Sequence, residues 1–349
     1  MKGFAQLLFI ILLFINNGCV SQNERNLESN SILWEISRKG IQEKSYLLGT
    51  FHSVNYHFFD SIPKYKSIIE NVDAIALEHD GAAYAKPKLQ AYHEASEKKY
   101  PSYALMPDEG KGYRDIFASE EEFHYVDSFI NEFKKEQNAP IFNLEEFKPI
   151  YTMMVLKSYY LLINMLKRTY DSSLPVNYVQ MDKGIGDEAF KRRKRLFYLE
   201  TVEERNDEVE DSLYLDTCNL TRQSHILYVC CKNLARQKKY EQEADTTVQS
   251  NKNKAVELYM RGELNTLLEG YEKASKLPPD LSDDYQQKEL YNLVSGRNKK
   301  WIPVIKSNIQ DCSCLIAVGA GHLPGKEGVI KLLRKEGYRV KPIDIYSKE

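Results

Sequence analysis

The sequence predicts an α/β protein. A central, largely parallel sheet is formed by two related strand–Gly-x-x-His–helix–strand halves, with a large helical insertion between them. Three observations predict this. Two short apolar runs, "SYLLGTFHSV" at 45–54 and "CLIAVGAGHL" at 314–323, each end in a glycine with a histidine three residues later. Each is followed by a helical pattern and another apolar run, the order of a right-handed crossover. The stretch between them, 117–300, carries apolar residues mostly at helical spacing.

The chain opens with a leader. Lys2 supplies a positive start, Phe4 to Ile15 are mostly apolar, and Gly18 precedes Cys19. A run this short fits a signal-peptide core better than a membrane span. Residues 1–18 are expected to be a bacterial lipoprotein signal cut before Cys19, whose thiol is then acylated. Asn16 and Asn17 stand where Leu and Ala or Ser are usual, and plain secretion is the alternative. Residues 19–30 then serve as a lipidated, polar tether, and 31–349 as one domain. The expectation is a protein of the cell envelope, lipid-anchored to a bacterial membrane and facing outside the cytoplasm, with secretion as the alternative.

The elements follow in order. Leu33, Glu35 and Ser37 alternate with Trp34 and Ile36, and Lys39-Gly40 suits the turn of a hairpin into 45–50. Tyr65, Ile68, Ile69 and Val72 share one helix face. "VDAIALEHD" at 72–80 reads as the next strand, parallel to the first Gly-x-x-His strand, and ends in Glu78, His79 and Asp80. Ser119 with Glu122 makes a capping box ahead of a helix. The run 149–170 is apolar nearly all round and reads as a buried helix. "GDEAFKRRKR" reads as an amphipathic helix feeding a strand, "LFYLET", at 196–201. Further helices fill 218–309, and Gly337 caps a final helix before "YRVKPIDI".

Composition narrows the chemistry. The 349 residues carry a net charge of −2, with 28% charged and 42% hydrophobic residues. That balance supports a core and excludes a nucleic-acid footprint, which needs a basic face. Five cysteines follow Cys19. Their odd number and spacing match no disulfide framework. Cys312 and Cys314 share one strand face and read as packed thiols, since no second pair completes a thiolate metal site.

Ligands in open α/β sheets collect at the carboxyl ends of strands. Gly49 and Gly319 would let the chain turn there, and His52 and His322 would follow into the cleft. Two neutral imidazoles suit a divalent metal, and Glu78 would serve as third ligand or as general base on a metal-bound water. The competing reading is a pair of hydrogen-bonded loop histidines. His79 is left outside the site, because alternation along an extended strand points it away from Glu78. His57 reads as packed among aromatic neighbours, and His93, His124 and His225 as helix residues.

"YLLGTFHSV", "AIALEHD", "FYLET", "GRNKKW" and "LIAVGAGHLPGKEGVIKLLRKEGYRVKPI" together resemble the TraB/GumN family, which includes the TIKI-type metalloproteases. The resemblance implies a divalent-metal-dependent peptidase, with manganese or cobalt ahead of zinc. It implies His52, His322 and Glu78 as metal ligands and Gly49, Gly319 and Gly321 as motif glycines. It matches Arg297 and Asn298 to the family's Arg-Asn pair; the guanidinium would either neutralise an oxyanion or hold a structural ion pair. Glu200 would orient an imidazole or charge a helix N-terminus. The implied substrates are extracytoplasmic peptides or proteins. The alternative is a non-catalytic lipoprotein capturing a peptide, metal or haem-like ligand in the same cleft.

Overall fold

A computed structural model describes residues 30–81, 105–107, 112–137, 146–153, 155–157, 160, 178–201, 204, 219–243, 245–275 and 291–346. The expected leader and tether, Cys19, His93 and Cys218 lie outside the described residues, as does most of 158–170. Among the described residues no helix is long and apolar enough to cross a membrane.

Six strands form one sheet: β1 Leu33–Ser37, β2 Ser45–Thr50, β3 Ala74–Leu77, β4 Arg195–Tyr198, β5 Cys314–Gly319 and β6 Arg339–Pro342. Their order is β4-β3-β5-β2-β1-β6. β2 to β5 are mutually parallel, and β1 is antiparallel to both of its neighbours. β5 lies at the centre and is buried from Cys314 to Val318, which explains its unbroken apolar run. β6 is an edge strand, keeps only Val340 buried and ends at Pro342, where a missing N–H costs least. Gly40 has φ +91° in the β1–β2 turn, as the hairpin reading requires.

The two halves share this sheet by interleaving. β2 and β3 are parallel as expected, but they do not pair: β5 from the far end of the chain lies between them. β5 thereby gains a partner on each side, and the most apolar strand takes the most buried place. The same register sets Thr50 opposite Gly319. Both Gly-x-x-His turns therefore leave neighbouring strands at the same edge of the sheet.

The helices are α1 Pro63–Asn71, α2 Glu120–Gln137, α3 Met181–Lys191, α4 Leu220–Glu243, α5 Asp245–Met260, α6 Leu264–Ser275, α7 Arg297–Asp311 and α8 Val329–Lys335. α1 buries Tyr65, Ile68 and Ile69, and Val72 is already extended. α3 starts five residues before the sequence reading began it. Gly262, at φ +70°, separates α5 from α6 and packs on the Ser31 backbone. α8 ends on Gly337 at φ +85°, with the Tyr338 N–H donating to the Leu333 carbonyl at 3.1 Å. α2 and α4 enclose a second apolar cluster with Phe133, Leu156, Leu227 and Cys231. There half of the expected capping box forms: Ser119 Oγ accepts the Glu122 N–H at 3.2 Å, while the Glu122 carboxylate takes His225 Nδ1 at 2.8 Å. Cys312 and Cys314 are free, with their Sγ atoms 3.6 Å apart.

Candidate functional site

The carboxyl ends of β2, β3, β4 and β5 carry His52, Glu78, Glu200 and the Gly319–His322 turn. β3 ends at Leu77, so Glu78 is the first residue to leave the sheet. Its Oε1 accepts the Gly319 N–H at 2.7 Å, tying the end of β3 to that of β5. A Cβ on Gly319 would lie 3.3 Å from that oxygen, tighter than most contacts, so glycine admits the carboxylate. Gly49 has a related use, since a Cβ there would meet Ala320 and Leu323 at 3.1–3.3 Å. Gly321 has open space around it, and no close packing requires glycine there.

Arg297 enters from the first turn of α7 and is 1% exposed. Nε donates to Glu200 Oε2 at 2.9 Å, and Nη2 donates to Glu200 Oε1 and Glu78 Oε2, both at 2.6 Å. Nη1 donates to the Leu293 carbonyl at 3.4 Å and to His322 Nε2 at 3.2 Å. A guanidinium has five N–H donors, and these contacts use them all. The buried ion pair that the sequence reading offered as one alternative is present. Trp301 Nε1 adds a 3.0 Å bond to Glu200 Oε2, so this carboxylate holds the guanidinium and the indole together.

Charge sets the ionisation. Burial alone would raise the Glu78 carboxyl. Arg297, with the Gly319 N–H, outweighs it and holds Glu78 well below the usual carboxylate range. Burial would likewise lower Arg297, but Glu78 and Glu200 push it up instead.

His322 is 5% exposed. Arginine only donates, so Nε2 of His322 is an acceptor and its proton sits on Nδ1. Nδ1 faces Asn298 Oδ1 at 2.7 Å. The Asn298 amide is itself oriented, since Nδ2 donates to the carbonyls of His322 at 3.2 Å and Glu327 at 2.8 Å. Trp301 packs on the ring, with centroids 4.5 Å apart. The imidazole is thus fixed as a neutral nitrogen donor, with Nε2 3.7 Å from Glu78 Oε1.

Two residues enter that sequence reasoning left out. Because β3 stops at Leu77, strand alternation does not govern His79, and its Nδ1 lies 4.0 Å from Glu200 Oε1. Glu78, His79 and Glu200 form a group whose donor atoms lie within 4.8 Å of one another. His52 and His322 are not members of that group. Asp182, in the first turn of α3, faces His52: Oδ2 is 3.5 Å from Nδ1. Burial raises the Asp182 carboxyl, and the Glu78 charge adds to this against the pull of His52. His57 is exposed and bonded to Asp60 at 2.9 Å, so its ring faces water rather than packing inward.

Three carboxylates, from Glu78, Glu200 and Asp182, therefore share this cleft with one guanidinium, from Arg297. The mixed imidazole and carboxylate donors could hold a metal ion. Glu78, His79 and Glu200 can hold such an ion, while the Nε2 lone pair of His322 is engaged by Arg297.

The chain is thus a mainly parallel α/β protein with acidic and imidazole groups gathered at its strand ends, where ligands of such sheets collect. The chain belongs to the TraB/PrgY/gumN family, whose profile it matches over residues 32–342. It is also similar to Metalloprotease TIKI1 of Xenopus tropicalis, at 23% identity over 357 aligned residues covering 91% of this chain. The chain spans 62% of that relative's length. No solved structure matches it.

Proposed function

We propose that this protein is a divalent-metal-dependent hydrolase, a peptidase acting on extracytoplasmic peptides or proteins, tethered to a membrane through Cys19. The observation that carries the proposal is the Glu78–His79–Glu200 group at the strand ends. Family membership and the similarity to a metalloprotease support the same reading. A bound ion would supply a Lewis acid and lower the pKa of its water. Manganese and cobalt are the ions we expect to serve.

The protein's own contribution is positional. Arg297 holds Glu78 and Glu200 in one arrangement, and Asn298 holds His322 in one tautomer. Glu78 stays ionised across neutral pH, which suits a ligand. The same ionisation weakens it as a proton acceptor, and that favours the second reading, capture of a ligand without turnover.

The test is metal content, followed by cleavage. The full chain, purified in detergent and equilibrated with manganese, cobalt or zinc, should retain about one ion. Glu78→Gln and His79→Ala should each reduce retention by roughly 10-fold or more. Metal-loaded protein should then cleave members of a mixed peptide library. Retention without cleavage would leave the capture reading, and equal retention in wild type and variants would remove the metal site.

A further inference from the structure

We propose that Asp182 is a positioning residue for His52: its carboxylate accepts the Nδ1 proton and leaves Nε2 as the lone-pair nitrogen, as Asn298 does for His322. This deepens the metal-site reading and rests on it for its purpose, though not for its test.

The argument begins with the backbone around the first Gly-x-x-His turn. Residues 178–181 are stitched to residues 51–56 by contacts of several kinds. The Tyr178 hydroxyl donates to the His52 carbonyl. The Tyr56 N–H donates to the Val179 carbonyl at 2.8 Å, and the Val179 N–H donates to Asn55 Oδ1 at 3.4 Å. Asn55 and Gln180 form an antiparallel bridge. The Phe51 N–H meets Met181 Sδ at 3.3 Å. Asp182 is the next residue, so this frame fixes where its carboxylate stands relative to the ring.

The two histidines then show the same construction. Each follows a glycine near the end of one of two paired parallel strands, and each has Nδ1 facing a side-chain oxygen carried on a helix. For His322 the partner is Asn298 of α7 at 2.7 Å; for His52 it is Asp182 of α3 at 3.5 Å. The second contact is the longer, and such contacts are commonly loose before the ligand is bound. The buried Thr50 hydroxyl, at the end of β2, lies by the same carboxylate. Glu78 and His79 are its other titratable neighbours in the cleft. A carboxylate only accepts once ionised, so a neutral His52 facing it carries its proton on Nδ1.

The experiment reads the tautomer directly. Side-chain ¹⁵N spectra would be recorded on the full chain with labelled histidine, metal removed by a chelator, at pH 8, where an ordinary imidazole is neutral. His52→Gln assigns the signals. Wild type should show His52 protonated on Nδ1. Asp182→Asn, whose amide oxygen can still accept, should keep that tautomer, and Asp182→Leu should move the proton to Nε2. Wild-type His52 protonated on Nε2, or a tautomer unchanged in Asp182→Leu, would overturn the proposal. If Asp182→Leu does not fold, the wild-type tautomer and its retention in Asp182→Asn decide. A dependent tautomer without metal retention would refute the hydrolase reading alone. Metal retention with an independent tautomer would refute this proposal alone.

Discussion

Arg297 shows how much one side chain can organise. Its five donors join α7, β3, β4 and the turn after β5. Removing it strands two inward-facing carboxylates, and breaking a buried pair in this way costs about 3–5 kcal/mol. We expect Arg297→Met to lose stability of that order in urea denaturation at pH 7. The pH dependence has a definite sign. Glu78 is depressed in the folded protein, so its contribution is fully present above the ordinary carboxyl value of 4.5. It is lost as pH falls below that toward the lowered folded value. The gap between wild type and Arg297→Met should therefore be widest near neutrality and shrink below about pH 4.5. A gap constant from pH 7 to pH 3 would refute this account. At this scale much of the site was legible. Glu78, Glu200, Arg297, Asn298 and His322 lie in motifs with distinctive neighbours, and the structure brings them together. Asp182 is missed because no short motif marks it, whereas His79 lies within a quoted motif. Asp182 also precedes the helix as the sequence reading drew it, and His79 was judged by an alternation that had already ended.

The misplaced start of α3 has a physical cause at the scale of elements. Gly184 and Gly186 depress helix propensity, so pattern reading begins the helix at the second glycine. The structure begins it at Met181, because Gly184 is where Tyr56 packs. A Cβ on Gly184 would stand 2.2 Å from the Tyr56 ring, while one on Gly186 would have its nearest neighbour, Leu77 Cδ1, at 3.5 Å. The two glycines should therefore respond oppositely to alanine. Gly186→Ala should stabilise by up to about 1 kcal/mol through helix propensity alone. Gly184→Ala should destabilise by about 1–3 kcal/mol despite the same propensity gain, since the ring must move. Thermal melts of the two variants check this, and equal shifts would rule out the packing explanation. The hairpin, α1 and α8 were legible because their turns and caps are local; α3 was not, because its glycine answers to a residue 128 positions away.

At the scale of the whole molecule, topology decides what the chain can do in pieces. Local pattern gave the expectation of two halves meeting side by side, each with its own parallel pair. Pairing order is a long-range property, and β5 lies between β2 and β3 instead. The first 80 residues therefore contain no paired β2–β3 ladder; each of those strands reaches the other only through β5. A chain ended after Asp311 would remove Cys314–Val318, all buried, and would leave the inner edges of β2 and β3 open in an apolar layer. Consecutive halves would let the β2–α1–β3 unit keep its ladder in such a truncation. The interleaved sheet predicts that the ladder is lost together with the C-terminal unit. Amide hydrogen exchange separates the two cases, because it reads each strand on its own. In the full chain the amides of Leu47, Leu48, Ile75 and Ala76 should be strongly protected. In the truncated chain those of Ile75 and Ala76 should keep at most what pairing with β4 supplies, and Leu47 and Leu48 at most what the β1 hairpin supplies. A two-stranded hairpin is marginal alone, so that residue should be small. Retained protection at Ile75 and Ala76 would mean that the N-terminal half folds without β5. The site would then be an assembly of two independent units, rather than one that exists only after both ends of the chain have closed the same sheet.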